Sequence, residues 1–364
     1  MSAGTVVLLS CGGTGGHLSP GIAMAEGLAA RGHTPVLIIS RKKVDARLVE
    51  KYPHLRFERL PGAPLAWDPQ GFVRFVVTQT QAFAAGVKLV RSLKPGAVVG
   101  FGGFTTAGVI IAGWLFRVPV ALHEANRVPG RAIRTLSRLA KRVWLPPGVE
   151  LPGVKADKIR PAGLPVRAEI SRRGRAAACV ALGLDPAFRV VVIFGGSQGA
   201  ASLNDWARRE AAAFAADGVQ IHCVTGLGNG EPGVVENPGP GGATVRSVYS
   251  SFCDTVADLL SAADLVVGRA GAGTIAECVR CRAPAVLVPY PFAADDHQKA
   301  NAAWFVGHGG GVLLPQERLG ELTAVVRGVI FDDAKLAGFR DNLARLDGEH
   351  GLDALLDDLD TLRQ

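Results

Sequence analysis

One histidine separates two otherwise matching glycine loops in this sequence. Residues 11–20 read CGGTGGHLSP and residues 194–200 read FGGSQGA, each directly after a run of apolar β-formers, TVVLLS and RVVVI. Aligned, Gly12 falls on Gly195, Gly13 on Gly196, Thr14 on Ser197 and Gly16 on Gly199, but His17 falls on Ala200. A glycine turn between a strand and a helix lets the backbone approach a phosphate closely, and the helix start supplies free N–H groups and partial positive charge. Neither loop ends in the GK[ST] of a Walker A loop, and neither fits GxGxxG with an acidic ribose partner. Histidine as a residue type titrates near neutrality, so His17 is suited to taking a proton from an attacking hydroxyl. A hydrogen-bonding clamp on phosphate or sugar is the other role open to it.

Three further stretches carry polar groups where strands should end. GRAGAGTIAECV at 268–279 again opens a helix on glycines, with Glu277 in its first turns. A carboxylate there can accept hydrogen bonds from ribose hydroxyls or simply compensate the helix start. PYPFAADDHQKANA gathers Asp295, Asp296, His297, Gln298 and Asn301, a set suited to a sugar's hydroxyls and amide. ALHEANRVPGR places His123, Glu124 and Asn126 at another strand end, beside GFGGFTTAG at 100–108. Open α/β sheets bind ligands at the carboxyl ends of their strands. Two clusters are read as structural. Cys278 and Cys281 form a lone CxxC with no second pair, and Asp358-Leu-Asp360 reads as a solvated helix face rather than a metal-binding DxD.

The elements that must hold these loops follow from hydropathy. TVVLLS, TPVLIIS, GAVVGF, PVALHE and RVWLP in the first half, then RVVVIF, VQIHCVTG, ADLVVG, APAVLVPY and GGVLLP, are near-continuous apolar runs bounded by Gly or Pro. Amphipathic stretches separate them, the pattern of parallel sheets covered by helices on both faces. With 364 residues, 48% of them hydrophobic, the expectation is two doubly wound α/β domains. The Pro- and Gly-rich stretch ending in GLPVR marks the hinge. The boundaries are residues 1–163 and 164–344, with a final leucine-striped helix at about 345–364 packing back on the first domain.

A net charge of +8 points to nucleic acid, an acidic membrane surface or a phosphorylated ligand. With 6% aromatics and no block of like charges, nucleic acid is set aside. Six irregularly spaced cysteines suit a reducing compartment. The uncharged stretch between Pro95 and Arg117 is long enough to span a bilayer, but Gly102-Gly103 and Thr105-Thr106 make it strand, tight loop, helix.

Taken in order, CGGTGGHLSPGIAMAEGL, FGGF, HEAN, GLPVR, FGGSQGAASLN, GRAGAGTIAE and DDHQKANA resemble the MurG family, the peptidoglycan glycosyltransferases that make lipid II. The resemblance runs from about residue 5 to about residue 310. It implies a GT-B fold, two Rossmann-like domains facing across a cleft. It also implies inverting transfer of N-acetylglucosamine from UDP-N-acetylglucosamine to the C4 hydroxyl of the muramoyl sugar of lipid I, with no metal or other cofactor. Carried onto this sequence, the donor site comprises Thr14, Gly15, Gly16, Asn126, Arg167, Ser197, Gln198, Cys253 beside the uracil, Ala272, Gly273, Thr274, Gln298 and Asn301. His17 and Glu277 are expected to carry the reaction, His17 as base and Glu277 through the donor ribose. Four positions depart from the family pattern: Phe104, Ala125, Ala270 and Gly273. They bear on fine specificity more than on reaction class. Another GT-B transferase with a lipid acceptor, or a nucleotide-sugar-binding protein without activity, would share many of these features.

A polyprenyl-anchored acceptor implies peripheral association with the cytoplasmic face of the bacterial plasma membrane, and cell-wall synthesis proteins are possible partners. Residues 72–91 carry Phe72, Phe75, Val76, Phe83, Val87 and Val90 near helical spacing, with Arg74, Lys88 and Arg91 among them. Trp114, Phe116 and Arg117, then Arg131, Arg134, Arg138, Lys141 and Arg142, extend the basic and apolar surface expected to meet anionic lipid.

Overall fold

A computed structural model describes residues 4–12, 15–41, 49–63, 68–196, 199–347 and 351–362. The chain divides into two compact units, residues 1–168 with 350–364 and residues 169–349. In the first unit β1 (Val6–Ser10), β2 (Thr34–Ile39), β3 (Arg56–Arg59), β4 (Ala97–Gly100), β5 (Val120–His123), β6 (Arg142–Leu145) and β7 (Ile159–Pro161) form one sheet. Its order is β3-β2-β1-β4-β5-β6-β7, and every pairing is parallel. Helices α1 (Gly15–Ala30), α2 (Pro69–Leu93), α3 (Thr106–Leu115) and α4 (Arg131–Leu136) accompany it. Residues of β1 explain the continuous apolar run. Val7 and Leu9 pack on one face with Leu18 and Ile22 of α1, while Leu8 packs on the other with Val109 and Ile110 of α3.

The second unit repeats the plan with α5 (Arg175–Ala181), β8 (Arg189–Phe194), α6 (Ala201–Ala216), β9 (Val219–Val224), β10 (Gly233–Pro238), β11 (Thr244–Ser250), α7 (Val256–Ala262) and β12 (Leu265–Gly268). There follow α8 (Ala272–Cys281), β13 (Ala285–Leu287), α9 (His297–Gly307), β14 (Gly311–Leu313), α10 (Leu322–Ile330) and α11 (Asp333–Asp347). Sheet order is β10-β11-β9-β8-β12-β13-β14, parallel except for β10 against β11. Val191 and Ile193 of β8 are buried with Leu203, Trp206 and Phe214 of α6 and with Val326 and Ile330 of α10.

The pattern expected from the apolar runs missed β3, β7, β10 and β11, and each omission has a cause. β3 (RFER) and β7 (IRP) are short, polar edge strands, and β10 is solvent-exposed along nearly its whole length. β11 alternates buried and less buried residues instead of reading as a continuous run. The divide between units falls after Ala168, later than the expected 163/164 boundary. His123 Nε2 lies 3.2 Å from Gly163 O and Arg167 Nη1 donates to Tyr52 Oη at 3.2 Å, so the GLPVR segment is held by the first unit. The expected final helix at 345–364 is divided: α11 ends in the second unit at Asp347, and α12 (Leu352–Leu362) lies in the first.

Leu355, Leu356 and Leu359 of α12 are buried in the first unit's core, and a Cβ on Gly27 of α1 would lie 2.7 Å from Leu356 Cδ1. The acidic face of α12, expected to be solvated, is partly paired instead. Asp358 Oδ2 is 2.8 Å from both Arg142 Nε and Trp144 Nε1, and Arg31 reaches Asp353, Asp357 and Asp360. That pairing also removes Arg142 from the expected membrane-facing set.

Helix α2 starts at an Asp68 N-cap whose side chain accepts from Gly71 N at 2.8 Å, with Pro69 at the first helical position. Its expected apolar stripe is split. Val90 is buried and Phe83 and Val87 pack against the core, whereas Phe72, Val73, Val76 and Val77 are exposed. The cause is the close approach of α3, where a Cβ on Gly108 would lie 2.7 Å from Phe83 N, so the C-terminal half of α2 has no free face there. A second exposed apolar group, Trp114, Leu115 and Phe116 with Arg91 stacked 5.2 Å from the Phe116 ring centroid, lies near the other end of α2. Phe72 and Arg91 are about 28 Å apart along the axis at ~1.5 Å per residue. Among the described residues no helix is long and apolar enough to cross a membrane.

Candidate active site

In the first sheet the chain leaves β1 toward β2 and leaves β4 toward β5, on opposite sides, although β1 and β4 are neighbours (Ser10 opposite Gly100). The carboxyl ends of this pair are therefore the topological switch point, where open α/β sheets bind ligands. The loop after β1 leads into α1, whose third residue is His17, and the loop after β4 is Phe101–Thr105. Thr105 Oγ1 joins the two by donating to Gly12 O at 3.0 Å, while Thr106 Oγ1 donates to Gly102 O within the second loop.

Gly102 and Gly103 have φ of 92° and 81°, conformations that side chains rarely adopt. A Cβ on Gly102 would stand 3.2 Å from His17 Nε2, one on Gly103 would stand 3.3 Å from His17 Nδ1, and the latter would also meet Gly12 O at 2.4 Å. The half-buried imidazole thus lies against bare backbone of the GFGGF loop. In the second unit the equivalent position has no such room. Ala200 is buried in the core, a Cβ on Gly199 would fall 1.9 Å from Thr225 O, and one on Gly195 would fall 2.6 Å from Ala200 N. Loop packing thus explains why only the first loop carries a histidine.

The HEAN segment after β5 is organised by Glu124. Its buried Oε1 accepts from Ala125 N (2.9 Å), Asn126 N (2.8 Å) and Asn126 Nδ2 (2.9 Å), and Oε2 accepts from Gly130 N (2.7 Å). His123, buried against Phe101, has its pKa driven down to about 4 by burial, against the opposing effect of its bond to Gly163 O. The ring is neutral and serves as an anchor for the GLPVR segment. Arg167 is buried and tied to Tyr52, which places it in the first unit, not the second as the expected boundary had it. Phe104 fills the space over Gly62, where a Cβ would meet its ring at 2.6 Å.

The second unit has its own switch point between β8 and β12, with Phe194 opposite Gly268. Gly271 is the N-cap of α8 in extended backbone and no side chain caps the helix, so Ala272, Gly273 and Thr274 form its first turn. Glu277 is buried on the same helix. Asn301 Nδ2 donates to Ala270 O at 3.1 Å, binding α9 to the loop that precedes α8. Gln298 Oε1 accepts from Tyr290 N at 2.9 Å, a bond that does not engage its two amide N–H donors. Cys253 Sγ lies 3.8 Å from Thr255 Oγ1, and burial raises its thiol pKa, which disfavours the thiolate. Burial likewise raises Cys278 and Cys281. Thr14, Ser197 and Gln198 lie outside the described residues, as does the immediate surrounding of Gly15; Gly16 is exposed at the start of α1.

One organising residue escaped the sequence reading. Arg269 Nη1 donates to Val288 O (3.1 Å), Pro289 O (3.3 Å) and Gln316 Oε1 (2.6 Å), and Nη2 donates to Ser202 Oγ (3.3 Å). It joins the ends of β12 and β13 to α6. Its partners are spread between residues 202 and 316, so no local pattern announces it.

The chain matches the N-terminal domain of glycosyltransferase family 28 over residues 7–145 and the C-terminal domain of that family over residues 190–344. It is 56% identical to the UDP-N-acetylglucosamine–N-acetylmuramyl-(pentapeptide) pyrophosphoryl-undecaprenol N-acetylglucosamine transferase of Opitutus terrae, over 98% of this chain and 94% of that one. The protein of the same name from Desulforudis audaxviator is 34% identical, over 98% of each chain. Among solved structures, Acinetobacter baumannii MurG has the same fold, with a TM-score of 0.69 at 23% identity, covering 98% of this chain and 99% of that one.

Proposed function

The chain belongs to glycosyltransferase family 28, and on that basis we propose that it transfers N-acetylglucosamine from UDP-N-acetylglucosamine to the muramoyl sugar of N-acetylmuramyl-(pentapeptide) pyrophosphoryl-undecaprenol, giving lipid II and UDP. The observation that carries this reading is 56% identity over 98% of the chain to a transferase of that name. The acceptor's C4 oxygen attacks the anomeric carbon from the face opposite the diphosphate. The bond from that carbon to the diphosphate breaks, and the hydroxyl proton passes to His17. Support for His17 in this role is its position at the switch point with both ring nitrogens against glycine backbone. In the second unit the loop after β8 and the first turn of α8 receive the charge of the leaving UDP. Glu277 takes the ribose hydroxyls, and Gln298 reads the donor sugar.

No metal or other cofactor enters this scheme. Purified protein should release UDP from UDP-N-acetylglucosamine only when a lipid I analogue is present, and a chelator should leave the rate unchanged. Release without acceptor, or donor binding with no release for any lipid acceptor, would sink the reading.

The exposed apolar N-terminal half of α2 supports peripheral contact with the cytoplasmic leaflet. Phe72→Ser combined with Val76→Ser is expected to cut co-flotation with anionic phospholipid vesicles at least several-fold. Phe83, packed inward, is the wrong site for this test. Flotation of the double variant at the wild-type level would move membrane contact elsewhere, with the Trp114–Phe116 group next in line.

A further inference from the structure

A cavity of the first unit lies away from the residues given a part in the reaction above. It measures about 530 Å3, within the usual range for a small-molecule site. Its polar lining is Ser40, just after β2, with Arg41 and with Arg74, Thr78 and Gln81 of α2, and Phe104 also lines it. Positions 71, 74, 78 and 81 of α2 line it together, and their spacing of three and four residues makes them one stripe of the helix. The neighbouring stripe, Phe72, Val73, Val76 and Val77, is the exposed apolar one. At the other side Phe104 directly follows Gly103, which lies against His17. The cavity therefore stands between the surface assigned to the membrane and the loop that holds the proposed base.

Its charge is one-sided. Among the described residues no acidic side chain lines it, and no hydrogen bond or ion pair occupies the side chain of Arg41 or Arg74. Arg31 and Arg142 of the same unit are, by contrast, paired with carboxylates of α12. Two arginine forks with the Gln81 amide beside them suit a carboxylate on a peptide chain, since each guanidinium can hold one in bidentate fashion while the amide meets a peptide group; the Thr78 hydroxyl donates to Arg74 O of its own helix.

Resting on the proposed function, we propose that this cavity is the subsite for the acceptor's stem peptide, with Arg41 and Arg74 holding its carboxylate. The acceptor's diphosphate is the other anion that could draw arginines, and the experiment separates the two. Soluble short-prenyl acceptor analogues are compared in steady-state transfer, one carrying the pentapeptide and one whose lactyl carboxyl is a simple amide. The readout is the ratio of kcat/KM for the two acceptors. Wild type should favour the pentapeptide. Arg74→Gln and Arg41→Gln should each lower that ratio roughly ten-fold, and Arg74→Lys should restore part of it. Thr78→Trp, which fills the cavity without touching charge, should lower it as well. A ratio that stays at the wild-type value while both acceptors weaken together would assign the arginines to the diphosphate and overturn the peptide subsite. An unchanged ratio with unchanged rates would overturn it too. Failure of the wild-type protein to use either acceptor would instead remove the function on which the inference rests.

Discussion

His17→Ala is expected to lower kcat for sugar transfer by about 10²–10⁴-fold, the usual contribution of a positioned general base, while the Kd for UDP-N-acetylglucosamine changes little. In barrier terms this is roughly 3–5.5 kcal/mol. The argument is geometric. The imidazole sits in the first turn of α1 at the β1/β4 switch point, and the bare backbone of Gly102 and Gly103 leaves it room against that loop. His17→Gln supplies the control, because an amide keeps hydrogen bonding but is far too weak a base. If His17→Gln retains most of the rate, or if His17→Ala loses donor affinity in step with kcat, the residue is a clamp and the base must be sought elsewhere. His123 is a poor replacement: it is buried and bound to Gly163 O, and its pKa of about 4 leaves little basicity.

The second large effect is on the loop that presents Asn126. Glu124→Ala removes an acceptor of four hydrogen bonds, three from backbone N–H groups and one from the Asn126 amide. Each donor left without a partner costs about 1–3 kcal/mol, and some will find water. A net loss of roughly 3–5 kcal/mol follows, a fall of about 10 °C in the melting midpoint for a unit of this size. KM for the donor should rise as Asn126 loses its anchor. Glu124→Gln should be milder, since one oxygen can still take the three bonds made by Oε1, but its NH2 group then faces the Gly130 N–H donor to donor. Unchanged melting in Glu124→Ala would mean that the Pro-Gly turn at 129–130 holds the loop unaided.

Glu124 also illustrates where local reading stops. HEAN was legible as a polar strand end, and its three polar residues looked equivalent there. Packing makes His123 a neutral strut, Glu124 a loop organiser and Asn126 the group displayed. The same holds for Arg167, whose partner Tyr52 lies far away in sequence, and for Arg269, whose partners span 202 to 316.

The residues alone settled the apolar strands of both sheets, the glycine turns that follow them, the two-unit plan and the family. Those features are written in short-range pattern, because a strand buried on two faces must be apolar throughout and a turn with positive φ calls for glycine. Folding in three dimensions decided the rest. It placed the polar edge strands β3, β7 and β10, which bury too little to leave a hydrophobic signature. It turned half of the α2 stripe inward against α3, paired the acidic face of α12, and gave His17 the room that Ala200 lacks. Each of these outcomes depends on atoms brought together from distant parts of the chain, and a local pattern carries no record of which distant surface will arrive.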